Sequence, residues 1–498
     1  MHMLNFNASM LRNCIGRLKM NMNEYMDNVK GVKCLVIGDI ILDEYISGIV
    51  NRISPEAPIP VMHIDRKWHI LGGAANVACN IAGCGIETVL CGVLGEDFNA
   101  EKVIKGLKEK EIEFCGLKLK ERITTTKTRI VGPNQQIVRL DEEITDVISL
   151  SEEEILFRDI MKCLSKVKVL VISDYNKGVC TETFCRRIIQ EANKRGIFVI
   201  VDPKTKDWSK YSHADLITPN FKEYCEAVGM ELSNNEQEIC QSGKHIFSKF
   251  YLGGILVTRS QYGMTYLYSD LHCFSCTTKA REVYDVSGAG DTVIAVIAAF
   301  LSAGYPLEKA IEVSNFAAAI SVGKKGTYVV SINEISDVIE ERAMNLHRKI
   351  VSWAEIENTV KQWKEMGDKI VFTNGCFDIL HRGHVEYLNL ARKQGDHLIV
   401  GLNTDRSIKA LKGDMRPVNN QEDRALLLSS LSFVDKVVLF DEVTPYDLIK
   451  MIKPDKLIKG GDYKECNVVG REFANEVIIV PIVEGYSTTN IILKKTNI

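Results

Sequence analysis

Apolar residues recur along this chain in short continuous runs, each closed by glycine or an acidic residue. The first is KCLVIGDIILDEY, which starts at Lys33, turns at Gly38 and carries Asp39 and Asp43 close behind. Runs of the same form follow at KVKVLVISDY (166–175), GIFVIVDP (196–203), ADLITPN (214–220) and GGILVTRS (253–260). Such runs show no polar alternation, so they read as strands buried on both faces, the habit of parallel sheets. Helix-like segments such as ETFCRRIIQEANKRG separate them. Strand–helix alternation predicts a doubly wound α/β sheet with its ligands at the carboxyl ends of the strands.

Two stretches break the rhythm. VNRISPEAPIPVMHI (50–64) and TTTKTRIVGPNQQIVRL (124–140) are rich in β-branched and turn residues and are not followed at once by helices. They predict a small second sheet able to cover a site. Thr292 to Tyr305 (TVIAVIAAFLSAGY) is the longest apolar stretch, too short to cross a bilayer, and reads as a buried helix. After Val330 a charged helical segment, ISDVIEERAMNLHRK, suggests a domain boundary near residue 345. WAEIENTVKQWKEMG then reads as an amphipathic helix, and a fresh α/β series begins: KIVFTNGCFD (369–378), DHLIVGLNTD (396–405), VDKVVLF (434–440), DKLIKGGD (455–462) and EVIIVPIVEG (476–485). The expected organisation is a domain over 1–345, with 1–30 a polar extension lacking any period, and a smaller Rossmann-like α/β domain over 346–498.

Composition narrows the function classes. With 498 residues the chain needs more than one core. A formal net charge of −3 argues against a nucleic-acid-binding surface, which would need clustered basic charge. The first twenty residues lack the apolar core and cleavage site of a signal peptide. Fifteen cysteines are scattered, and the one close pair, Cys273 and Cys276 in an expected strand, has no second CxxC to complete a four-sulfur site. Reduced packing thiols in a cytoplasmic protein, with no tightly bound structural metal and no membrane partner, are the expectation.

The strongest chemical signal of the first half is Asp285-Val286-Ser287-Gly288-Ala289-Gly290-Asp291-Thr292, set directly ahead of the apolar helix. Unpaired N–H groups of Gly288, Ala289 and Gly290 at a helix start can point at an anion. Asp291 beside them could take a proton from a hydroxyl while the amides hold departing phosphoryl charge. A capped helix start with an acid in its first turn is the plainer reading, and spacing alone does not separate the two. No GKS or GKT follows, so it is not a Walker loop. Three further pieces stand at strand or helix ends: Gly72-Gly73-Ala74-Ala75-Asn76, Asn220-Phe221-Lys222-Glu223, and Thr258-Arg259-Ser260 with Gly263.

Taken in order, GGAAN, NFKE and DVSGAGDT resemble the ribokinase-like (PfkB) sugar kinases over roughly residues 31–335. The resemblance implies Asp291 as catalytic base and Gly288, Ala289 and Gly290 as an anion hole. It also implies Asn220, Phe221, Lys222, Glu223, Thr258 and Gly263 on the ATP and Mg²⁺ side, and Asp39, Asp43, Gly72, Gly73 and Asn76 on the sugar side. The two β-rich stretches match that family's lid, which implies a homodimer formed through it. Ser287 stands where the wider family often has Thr or Gly.

In the second half a strand ends and HxGH enters a helix: Thr373-Asn374-Gly375-Cys376-Phe377-Asp378-Ile379-Leu380-His381-Arg382-Gly383-His384. Two histidines three apart can face one way, which leaves a metal site or a triphosphate site open; the first lacks a third ligand at a convincing spacing. KGDMRPVNNQEDR brings Lys412, Arg416 and Arg424, KGGD brings Lys459, and GYSTT brings Ser487, Thr488 and Thr489. Charged residues of this kind usually form a solvated face, but here they punctuate strand ends.

Residues 369–498 resemble the cytidylyltransferase-like nucleotidyltransferases. That resemblance implies direct attack of a sugar 1-phosphate on a nucleotide α-phosphate, with His381 and His384 stabilising the transition state. Phe377, Lys412, Arg416, Lys459 and Ser487–Thr489 would help to hold nucleotide and phosphate. The fusion of both halves, with NRISPEAPIPV, SDYNKGV, NQEDR, KGGDY and VEGYSTT, resembles the bifunctional heptose 7-phosphate kinases and heptose 1-phosphate adenylyltransferases of lipopolysaccharide-core synthesis. The implied substrates are sugar phosphates and ATP, with Mg²⁺ and a separate phosphatase acting between the two steps. The same architecture serving another sugar, or CTP, stays open at this point.

Overall fold

The computed structural model describes residues 22–132, 135–269, 272–277, 285–324, 326–461 and 468–480. The chain divides into two compact units, with the change at Val338/Ile339 inside the helix Ile332–His347.

The first unit is built on a nine-stranded sheet. From one edge to the other its strands are His272–Cys276, Met264–Ser269, Ile255–Thr258, Leu216–Ile217, Phe198–Asp202, Val167–Ser173, Lys33–Gly38, Glu87–Cys91 and Glu113–Phe114. Seven of these are parallel; the hairpin Met264–Cys276 closes one edge antiparallel. Cys34 to Gly38 are all buried, as are Val169 to Ser173 and Val199 to Val201, which explains their unbroken apolar runs. Glu87–Cys91 and the two-residue edge strand Glu113–Phe114 are too short or too mixed to stand out in sequence.

Lys33–Gly38 lies between Val167–Ser173 on one side and Glu87–Cys91 on the other. This is the point where strand order reverses, and α/β sheets open a crevice there.

A separate four-stranded sheet, in the order Pro60–Gly73, Ile40–Ile53, Thr126–Val131, Gln136–Glu142, forms the lid. Ile40–Ile53 starts one residue after the central strand; its first four residues are buried and its last five exposed, so it leaves the core and runs out as a ribbon. The expected β-rich stretches thus cover only parts of longer strands.

The residues read as a polar extension without a period are helical at their C-terminal end. Met22–Asn28 is a helix whose fully buried Tyr25 packs on Phe300 at 5.2 Å and donates to the Cys84 carbonyl at 2.9 Å. About two turns of helix are too brief to show a period, so only the tertiary contact reveals it. The apolar stretch forms the helix Ala289–Ser302, buried along nearly its whole length, and no helix among the described residues is long and apolar enough to cross a membrane.

The second unit carries a six-stranded, all-parallel sheet in the order Ile350–Val351, Lys436–Phe440, His397–Asn403, Ile370–Gly375, Lys456–Gly460, Glu476–Val480. The amphipathic segment is the helix Trp353–Met366, opened by a capping box of Ser352 and Glu355 and closed by Gly367 at φ 85°. Here too the strand order reverses, beside Ile370–Gly375, with His397–Asn403 and Lys456–Gly460 as its two neighbours.

Candidate functional site

In the first unit the helix Ala289–Ser302 starts on Gly288 at φ 79°. A side chain there would be strained, and its Cβ would press on Thr327 at 2.9 Å, so this turn needs glycine. A Cβ on Gly290 would meet nothing within 4 Å, so the backbone faces open space. The Ala289 N–H, expected to join an anion hole, instead donates to the Val286 carbonyl at 3.3 Å, which leaves the neighbouring amides as the better candidates.

Asp291, in the first turn, is 5 % exposed. Asn76 Nδ2 donates to its Oδ2 at 2.7 Å and the Tyr175 hydroxyl donates to its Oδ1 at 2.7 Å. Burial pushes the Asp291 carboxyl up to about 6, against the two hydrogen bonds, which favour the ionised form, and with the nearby Asp43 charge. The carboxylate is therefore held in place yet poised to take a proton. Asn76, expected on the sugar side, acts on Asp291 directly. Tyr175 was not singled out as a site residue; SDYNKGV marked its loop, but its link to Asp291 spans 116 positions.

A cavity of about 170 Å³ opens beside Asp291, Gly288 and Gly290 and extends to Asn220, Glu223 and Thr258. Asn220 caps the helix Phe221–Val228: its side chain accepts from the Glu223 N–H, and Glu223 accepts from the Asn220 N–H. The other Glu223 oxygen meets Lys204 Nζ at 3.1 Å. Asp202 lines the same cavity and accepts no side-chain hydrogen bond among the described residues. Burial, then the charges of Asp291 and Glu223, push its carboxyl well above the usual carboxylate range.

Three expected nucleotide residues lie elsewhere. Lys222 points to solvent, its side chain 86 % exposed and near Glu226, because it falls on the outer face of its helix. Phe221 packs on the hydrophobic core. Gly263, at φ 84°, closes the turn Ser260–Tyr262 and is no part of the cavity wall.

Of the expected sugar residues, Asp43 accepts from Arg129 Nη1 at 2.5 Å and sits so close to Gly72 that any Cβ there would collide with the carboxylate. Gly73 starts the helix Ala74–Gly83. Asp39 departs from expectation. It is 1 % exposed, and its oxygens accept the backbone N–H groups of Tyr175, Lys177 and Val179. It thus shapes the loop that delivers Tyr175 rather than presenting itself to a sugar.

In the second unit His381 is the N-cap of the helix Arg382–Arg392 and His384 lies in its first turn. Their rings stack at 3.8 Å, and Phe377 stands edge-on to His384 at 5.2 Å. Burial, then His381, then Lys412 push His384 down to about 3, and burial lowers His381 as well, so His384 is neutral at pH 7. Lys412, at the end of the helix Asp405–Lys412, is thereby placed within electrostatic reach of His384. Arg416 Nη1 lies 3.2 Å from the buried Asp378 carboxylate, and Lys459 Nζ donates to Asn374 at 2.5 Å.

Arg424 is no part of a solvated face. It is fully buried and donates to the carbonyls of Asn419, Cys376 and Asn403 and to Asp405. Ser487, Thr488 and Thr489 lie outside the described residues.

Comparison with known proteins agrees with this division. Residues 33–334 match the pfkB family carbohydrate kinases and residues 372–494 match the cytidylyltransferase-like family. Phosphofructokinase-2 from Escherichia coli, in complex with potassium, is 19 % identical and covers 62 % of this chain and 98 % of its own at a TM-score of 0.53. A ribokinase of Arabidopsis thaliana, complexed with ribose and ATP, is 18 % identical over 62 % of this chain and 99 % of its own at a TM-score of 0.51. At such identities the two show the fold alone.

Relatives that span both units are more informative. The bifunctional protein HldE of Sulfurimonas denitrificans is 45 % identical over 93 % of this chain and 97 % of its own. That of Helicobacter pylori strain 26695 is 44 % identical over 93 % and 98 %, and that of Methylobacillus flagellatus 44 % over 92 % and 95 %. A carbohydrate kinase and a nucleotidyltransferase therefore share this polypeptide, and the chain belongs to the family of the bifunctional HldE proteins.

Proposed function

We propose that the first unit transfers the γ-phosphoryl group of ATP to the C1 hydroxyl of D-glycero-β-D-manno-heptose 7-phosphate. The second unit then joins AMP from a second ATP to heptose 1-phosphate, giving ADP-heptose and pyrophosphate. Between the two steps the 7-phosphate is hydrolysed by a separate phosphatase, since the chain's two families supply only a kinase and a nucleotidyltransferase.

In the kinase step Asp291 Oδ accepts the C1 hydroxyl proton as that oxygen bonds to the γ-phosphorus and ADP departs. Asn76 and Tyr175 keep the carboxylate aimed and ionised, and the amides at Gly288 and Gly290 receive the charge that gathers on the phosphoryl oxygens. Phosphoryl transfer asks mostly for positioning and charge stabilisation, which a rigid helix start supplies. The oxygen donors beside the cavity suit Mg²⁺: Asp202 accepts no side-chain hydrogen bond among the described residues, and Glu223 faces the same space. Mg²⁺ keeps much of its water shell and takes one or two carboxylates plus phosphate oxygens, so Asp202, Glu223 and Asn220 would hold it there and it would neutralise phosphate charge.

In the transferase step a heptose 1-phosphate oxygen attacks the α-phosphorus of ATP and pyrophosphate leaves. His381 and His384 donate N–H groups to the oxygens of the crowded phosphorus, with Lys412, Arg416 and Lys459 adding positive charge around them. No covalent enzyme intermediate is needed. ATP as phosphoryl donor and the many buried thiols support a cytoplasmic setting, and the exposed end of the lid ribbon, with Ile49, Val50 and Ile53 at its surface, supports dimerisation through the lid.

The observation that carries the reading is the buried Asp291 carboxylate, held by two donors at an open helix start that faces a cavity. The decisive experiment is mass spectrometry of products from heptose 7-phosphate and ATP, with and without an added phosphatase. Heptose 1,7-bisphosphate should form without it and ADP-heptose with it. Pyrophosphate release with CTP and heptose 1-phosphate, but not with ATP, would overturn the adenylyl assignment.

A further inference from the structure

Three cysteines from distant parts of the first unit meet at the edge of its large sheet. Cys91 ends the strand Glu87–Cys91 and is fully buried, Cys115 follows the edge strand Glu113–Phe114, and Cys163 ends the helix Leu150–Cys163. The Cys115 N–H continues the pairing of the two strands by donating to the Leu90 carbonyl at 2.9 Å, which sets Cys115 beside Cys91. On the helix, Asp159 and Cys163 are one turn apart and share a face. The Cys115 sulfur meets both, 3.5 Å from the Asp159 carbonyl oxygen and 2.9 Å from the Cys163 sulfur. Cys115 and Cys163 are only half-buried, so a small solute can reach them.

Packing alone leaves a thiol protonated and inert, as at Cys34, Cys79 and Cys84, which burial pushes up to about 12. Cys163 goes the other way, down to about 6. The Cys91 thiol donates to it and lowers it most; burial opposes, Cys115 assists, and of the nearby charges Glu113 opposes while Lys33 assists. Lys33 and Glu113 lie 3.5 Å apart, so their charges offset each other. Burial holds Cys91 well above the ordinary thiol range, and it keeps its proton. The three thiols thus divide into a donor, a nucleophile and a partner at contact distance.

A disulfide sets its sulfurs about 2.05 Å apart, so under about 1 Å of further approach would join Cys115 to Cys163. We propose that Cys163 and Cys115 form a reversible thiol–disulfide pair that reacts with peroxides. The Cys163 thiolate attacks one peroxide oxygen: an S–O bond forms, the O–O bond breaks, and the departing hydroxide takes up the proton that Cys163 had released. Cys115 then gives up its proton and attacks the sulfenic sulfur, and the hydroxide displaced there leaves as a second water. Two electrons pass from the thiol pair to one peroxide. The new bond, spanning 48 positions, would fasten the two-residue edge strand to the helix until a cellular thiol reopened it. None of the three cysteines lines the cavity beside Asp291, so the pair acts independently of the sugar that the kinase takes.

The experiment treats the reduced full chain with an equimolar amount of hydrogen peroxide and maps its peptides without reductant. The expected product is a peptide pair joined through Cys115 and Cys163, lighter by two hydrogens and separated again by dithiothreitol. In Cys115→Ser the Cys163 sulfenic acid should be trapped by dimedone, and in Cys163→Ser neither product should form. At pH 7 iodoacetamide should modify Cys163 of the reduced chain about tenfold faster than Cys225 or Cys376. Cys91→Ala, which removes the donor, should move the pH midpoint of that labelling upward.

Oxidation spread evenly over the half-buried cysteines, a disulfide elsewhere, or labelling of Cys163 no faster than of Cys225 would overturn the proposal. A zinc ion bound stoichiometrically by the three thiols would overturn it too. Mapping of the wild-type chain decides the question even where a variant does not fold, and adenylyl transfer by each serine variant reports that it does.

Discussion

In the kinase unit the helix at Ala289 begins on a glycine and sets a carboxylate in its first turn; in the transferase unit the helix at Arg382 begins on a histidine and sets a second imidazole there. Both starts stand beside the strand where sheet order reverses, and a helix start is a place that favours an anion. The side chains differ because the tasks differ. On the proposed reading the hydroxyl gives up its proton as it bonds to phosphorus, so the kinase site needs a base, and two hydrogen bonds to Asp291 favour its ionised form against burial. A sugar 1-phosphate already carries a nucleophilic oxygen, so the transferase site needs donors alone. Burial keeps His384 neutral, and it can gain proton affinity when triphosphate charge arrives. One helix geometry thus serves two reactions through the ionisation of what stands beside it.

The comparison breaks most sharply at the two first turns. Asp291→Asn should lower heptose phosphorylation by roughly 10²–10⁴-fold and leave adenylyl transfer intact. Separate assays of the two half-reactions check this, and parallel loss of both would mean the units do not act independently. His384→Ala should do the reverse, lowering adenylyl transfer by roughly 10²–10³-fold with kinase turnover preserved.

The next effect is on stability. Arg424→Met would leave three carbonyls and the Asp405 carboxylate without their donor, a cost of about 3–5 kcal/mol to the second unit. Denaturant unfolding followed by the transferase-unit tryptophans would show it as a lowered midpoint.

Tyr175→Phe should cut kinase kcat/KM about tenfold near neutral pH and move the acid limb of its pH profile. The direction follows from the hydrogen bond. The hydroxyl stabilises the ionised carboxylate, its loss raises the Asp291 pKa above about 6, and activity begins to fall at a higher pH than in the wild type. A profile that loses amplitude without moving would make Tyr175 a packing residue only. The smallest expected effect is that of Lys222→Ala, whose KM for ATP should stay within about twofold of wild type, because that ammonium lies in solvent. A larger rise would return it to the nucleotide site.

Local signals were enough for a good part of this. The runs at Lys33, Val167 and Phe198, and those at Ile370 and His397 in the second unit, are buried on both faces, and that leaves a mark in sequence which needs no partner to be read. DVSGAGDT and HxGH likewise specify their own turns, so Asp291, His381 and His384 were legible from neighbours along the chain. What escaped were roles set by residues far away in sequence. Asn76 and Tyr175 reach Asp291 across 215 and 116 positions, and Asp39 is consumed by a loop some 140 positions on.

Arg424 shows the same limit from the other side: in sequence it stood with Lys412 and Arg416 as a charge punctuating strand ends, and only the carbonyls of Asn419, Cys376 and Asn403 gathered around it made it a buried brace. Periodicity and turn chemistry act over a few residues, and these the amino-acid order determines by itself. Which carboxylate stays free, which cation finds a partner and which helix face meets water depend on what the folded chain brings within 3 Å, and that was decided only in three dimensions.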